Sequence, residues 1–107
     1  MIYKFANTLE KGSYRHIVFQ DGKTWYAVAL EFNLVVSAAE PVVALVELYE
    51  AVAGYLESVK KSKSRPFALN QRADKEYEEL WKALTGKKTA NVKSPYNIYN
   101  YGVANLI

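Results

Sequence analysis

A lone histidine, His16, and eleven scattered carboxylates are the groups of this 107-residue chain that could move a proton or hold a metal ion. A histidine can serve as a general base at neutral pH. Hydrolysis on two metal ions would instead need several carboxylates converging on one pocket. Asp21 falls in a turn, Glu31 at a strand end, and Glu47 and Glu50 on the wet side of a helix, so no three share a route to one site. Cysteine is absent, which excludes thiolate metal sites, disulfides and a cysteine nucleophile. The five glycines are spread out and form no phosphate-cradling loop, and no serine sits in a nucleophile elbow. The expectation is a protein without catalytic residues, metal or cofactor, with His16 structural.

Two other groups of residues could recognise a partner. The first is basic. The chain carries a net charge of −2 up to Leu56 and +5 beyond it, and much of the excess lies in Lys60, Lys61, Lys63 and Arg65, with a second pair at Lys87 and Lys88. Such a cluster could meet nucleic-acid phosphates. It also follows a long helix, whose C-terminal dipole favours cations, and a solvated helix end is the reading preferred here. The second group is aromatic: nine tyrosines, three of them (Tyr96, Tyr99 and Tyr101) in a short tail with no cation after Lys93. Aromatic rings can stack on unpaired bases, but tyrosine and isoleucine equally favour an edge strand or a swapped arm.

The elements that must carry these residues follow from periodicity. Runs 13–20 and 24–32 read as strands around Asp21-Gly22-Lys23, a hairpin signal in which glycine supplies positive φ. In the second run Tyr26, Val28, Leu30 and Phe32 make the larger apolar face, which is expected to meet the helix. Asn33 permits a reversal into a short strand at 34–38, and residues 2–9 read as a further strand. A helix runs from Pro41 to about residue 60, with either Glu40 as N-cap or a capping box from Ser37 to Glu40. Its main apolar stripe is Val42, Leu45, Val46, Tyr49, Val52, Ala53 and Leu56. A second stripe, Ala44, Leu48, Ala51 and Tyr55, needs another cover, while Glu47, Glu50 and Glu57 mark the wet side. A shorter helix over 74–84, closed by Gly86, is expected to pack on the first, and 94–103 forms an extended tail.

The sum is a single α+β domain over 1–107: an antiparallel sheet of three to four strands packed on one long helix (1–60), then a basic linker, a second helix and a strand-like tail (61–107). No apolar run reaches the ~20 residues of a membrane span, and the N-terminal residues lack a secretory core, so a cytoplasmic protein is expected.

Residues 16–58 resemble the N-terminal domain of the HicB antitoxin family. The resemblance rests on an apolar strand, the Asp21-Gly22 turn, an aromatic start at Trp25-Tyr26, a short third strand and a helix bearing Tyr55-Leu56-Glu57. The stretch Glu31-Phe32-Asn33-Leu34-Val35 lacks the prolines and glycine common there, and Ala39-Glu40-Pro41 lacks a hydroxyl N-cap. The resemblance implies a degraded RNase H-like sheet without nuclease chemistry that binds and neutralises a small mRNA-cleaving HicA-type toxin. No helix-turn-helix or ribbon-helix-helix follows Ser58, so DNA binding is not carried over.

The leading expectation is therefore a protein-binding module that forms a homodimer or higher oligomer, with Trp25, Leu48, Tyr55, Tyr96, Tyr99 and Tyr101 as contact residues. Alternatives are a small RNA-binding protein using Lys60, Lys61, Lys63 and Arg65 with the tail tyrosines, or an oligomerisation scaffold.

Overall fold

The computed structural model describes residues 12–62, 71, 73–86 and 96–105. Its elements are β1 (Ser13–Asp21), β2 (Thr24–Ala29), a single 3-10 turn (Leu30–Phe32), β3 (Leu34–Ala38), α1 (Pro41–Ser62), α2 (Lys75–Thr85) and β4 (Asn97–Asn105). The α+β class is as expected: one four-stranded antiparallel sheet, in the order β3-β2-β1-β4, with a long and a short helix. The expected strand at 2–9 and the basic residues Lys63, Arg65, Lys87 and Lys88 lie outside the described residues. Among the described residues no helix is long and apolar enough to cross a membrane.

The β1–β2 hairpin pairs Asp21 with Thr24 and turns on Gly22, whose φ of +66° supplies the left-handed first central position of a two-residue loop. β2 ends three residues earlier than its apolar alternation suggests. Leu30 and Phe32 would share one face of a continuing strand; the 3-10 turn instead sends Leu30 to one side of the sheet and Phe32 to the other, and both are buried. Asn33, at φ 53°, reverses the chain into β3. The Glu40 carbonyl accepts the Ala44 N–H at 3.0 Å, so Glu40 is the N-cap and Pro41 takes the first helical position, where its missing N–H leaves no gap.

The helices lie on opposite faces of the sheet, which corrects two expectations. α1 meets the face of smaller residues, Ala27 and Ala29 with Leu34 and Val36, not the Tyr26 face. Small side chains let the helix axis approach the strands, and Phe32 and Tyr14 fill what remains. The helix rotation is set by Ala44, Leu48, Val52, Tyr55 and Val59, a stripe that persists to the last turns, whereas the other ends at Leu56. α2 does not pack on α1. It covers the Tyr26 face, laying Tyr77, Leu80 and Trp81 over Ile17, Phe19, Val28 and Leu30.

The tail closes its own sheet. β4 runs antiparallel along β1, from Ser13 opposite Asn105 to Gln20 opposite Asn97, with a bulge across Val18 and Phe19. That bulge leaves Tyr99 as the extra residue of β4.

Candidate interaction surface

Both stripes of α1 read as apolar; the structure buries Ala44 and Leu48 of the second and Val52 of the first, and leaves Val42, Val46 and Tyr49 of the first open. Leu48 is completely buried against the sheet, so its expected place on an open contact surface is corrected: it is core. Tyr55 packs partly against the same core. It is half-buried, its ring centre lies 5.3 Å from that of Phe32, and its hydroxyl accepts a hydrogen bond from Gln71 Nε2. The open face is instead formed by Val42, Val46 and Tyr49, at 53%, 48% and 45% exposure. In helical angle these follow one another on the flank next to the core stripe. Tyr49 fixes where that flank points, because its ring stands edge-on to His16 of β1 with centres 6.5 Å apart.

His16 itself is 7% exposed and cannot serve as an accessible base. Its Nε2 lies 3.2 Å from Asn100 Oδ1, within hydrogen-bond distance. Nδ1 is buried without a hydrogen-bond partner. Gly102 sits directly across on β4, and a Cβ there would meet His16 Cε1 at 3.4 Å, an ordinary van der Waals contact. Beside it, burial first and the neighbouring Tyr49 second push the Tyr14 hydroxyl up to about 12.

Of the expected aromatic contacts, Trp25 is half-buried with Tyr99 edge-on to it at 6.2 Å, and Tyr99 remains 46% exposed. Tyr101 faces the other side of the sheet, edge-on to Trp81 at 6.0 Å. Tyr96 is half-buried, with its ring centre 4.7 Å from that of Phe19. The three tail tyrosines therefore do not form one surface. Lys60 and Lys61 are exposed at the end of α1.

Among the described residues no group of three or more His, Cys, Asp or Glu is placed to hold a metal ion. The polar centre that residue spacing did not reveal is Arg15. Its Nε donates to Glu31 Oε2 at 2.9 Å, while Nη1 and Nη2 donate to Glu78 Oε1 and Oε2 at 2.7 and 2.9 Å. The guanidinium also lies 5.6 Å from the centre of the Trp81 ring. Its hydrogen bond to Glu78 raises the Arg15 pKa despite burial and holds the Glu78 carboxyl below its ordinary range. The clamp joins β1, the 3-10 turn and α2, so it is a fastening and not a site. Glu78 lies 63 positions from Arg15, and no local signal links them.

Comparison of the chain with protein-family models, with curated proteins and with solved structures finds no match.

Proposed function

We propose that the chain is a non-catalytic, cytoplasmic protein-binding module of the HicB-like antitoxin type, which binds and neutralises a small mRNA-cleaving toxin of the HicA type. The observation that carries the binding reading is the half-exposed flank of Val42, Val46 and Tyr49 on α1, placed beside a helix stripe that already fills the core. Large apolar side chains clustered on one side of a helix are the ordinary makings of a protein interface. The βββα order of the first four regular elements among the described residues supports the antitoxin assignment, as do the sequence features between His16 and Ser58. A role without catalysis agrees with the burial of His16, at 7% exposure.

The test is co-expression with the product of a neighbouring reading frame that encodes a small basic protein. The expected result is co-purification and relief of toxicity, both abolished by Val46→Glu. A toxic neighbour that neither binds the wild-type chain nor is relieved by it would overturn the antitoxin reading. Binding unaffected by Val46→Glu would remove the helix flank as the surface.

A further inference from the structure

The sheet has two edges, and they differ in length. β3 is five residues long, with Leu34, Val36 and Ala38 packed under α1, which begins three residues after it ends. β4 is nine residues long and ends the sheet on the other side; among the described residues no strand pairs with its outer edge. Soluble proteins usually blunt such an edge with charge, proline, a bulge or a covering segment. The segment from Asn97 to Asn105 contains neither a charged residue nor a proline. Its bulge at Tyr99 disturbs one end and leaves Asn100 to Asn105 as regular strand.

We propose that this open edge is the seam of a homodimer, in which β4 pairs antiparallel with β4 of a second copy about a two-fold axis at Gly102. The sheet then runs through eight strands, with both copies of α1 on the same side. This pairing sets Tyr101 of each copy opposite Val103 of the other, and Asn100 opposite Ala104. Tyr101 and Val103 are 43% and 61% exposed and lie on the same face, so the pairing covers the two most open apolar side chains of the regular run.

A second copy fits better than an arbitrary strand because nothing in the segment repels itself. Like charges facing each other are what normally forbid identical strands from pairing, and here there are none. Arg15, which sits behind Val103 on β1, is already saturated by Glu31 and Glu78. The pairing region is short and stops at the bulge, so the interface lies at the small end of the range and the dimer depends on concentration. This seam gives form to the oligomer in the reading above, and it stands without a toxin.

The experiment is sedimentation of the whole chain from micromolar to millimolar concentration, alongside Val103→Lys. Wild type is expected to move toward twice the 12.1 kDa chain mass. Val103→Lys is expected to stay at one chain mass with an unchanged circular dichroism spectrum. A spin label on Val103→Cys, in a chain with no other cysteine, should show dipolar broadening that disappears on dilution. A wild-type monomer at the highest concentration overturns the proposal, including the case where a different protein protects the 100–105 amides from exchange. A folded Val103→Lys that dimerises like wild type overturns the seam. Val46→Glu separates the two surfaces: it should remove toxin binding and leave the dimer intact.

Discussion

α1 meets the sheet through alanines, with Leu48, Val52 and Val59 interleaved among Ala27, Ala29 and Ala44. α2 meets the opposite face through rings, Tyr77 and Trp81 over Phe19 and Tyr26, and is fastened by Arg15. The first contact runs from Ala44 to Val59 of a 22-residue helix and adds the Tyr14, Phe32 and Tyr55 rings to its aliphatic groups; the second is an 11-residue helix held by aromatic area and one charged clamp. Among the described residues no ion pair fastens α1 to the sheet, so its seating rests on packing. A short helix tied by a carboxylate is exposed to acid. The two faces should therefore fail under different stresses.

The largest expected effect tests the aliphatic face. Leu48→Ala should lower stability by about 3 kcal/mol, because it removes a fully buried side chain and leaves a cavity under α1. Denaturant unfolding followed by far-UV circular dichroism measures it. A loss under 1 kcal/mol would mean that the helix is not seated as described.

Next comes the clamp. Arg15→Ala should cost about 1 to 2 kcal/mol, a modest figure because the side chains involved are between 21% and 34% exposed and water screens the pair. The acid response sharpens the contrast. Glu78 titrates below its ordinary value when folded, so its contribution is complete above the unfolded carboxyl pKa and is lost as pH falls through the lowered folded one. Protection of the α2 amides, taken relative to the intrinsic exchange rate at each pH, should therefore fall, at pH below the ordinary carboxyl range, before that of α1 does, and Glu78→Gln should remove that difference. Equal acid sensitivity of the two helices in wild type would break the comparison. The smallest effect is expected from Val46→Glu, within about 0.5 kcal/mol of wild-type stability because the side chain already meets solvent.

The local grammar of the chain was legible. Gly22 and Asn33 marked the two reversals, Pro41 the helix start, and period-two runs the central strands. Which side of α1 faces inward was not, because both stripes are apolar and periodicity alone cannot rank them. Nor was the placement of α2. Nothing in Tyr77, Leu80 and Trp81 says whether their partner is another helix or the far side of a sheet; that depends on Tyr26 and Phe19 needing cover. The split of the tail tyrosines between two faces follows from one extra residue in β4, which leaves no trace in composition.

β1 lies between a neighbour made immediately after it and one made last among the described elements. Eighty-four residues separate Asp21 at the end of β1 from Asn105 at the end of β4. At 5–20 residues per second, synthesis takes about 4 to 17 s to cover that interval. The hairpin, β3 and α1 can assemble during it, while one side of β1 waits for its partner. Over that interval the side of β1 that β4 covers in the folded sheet has yet to receive its partner.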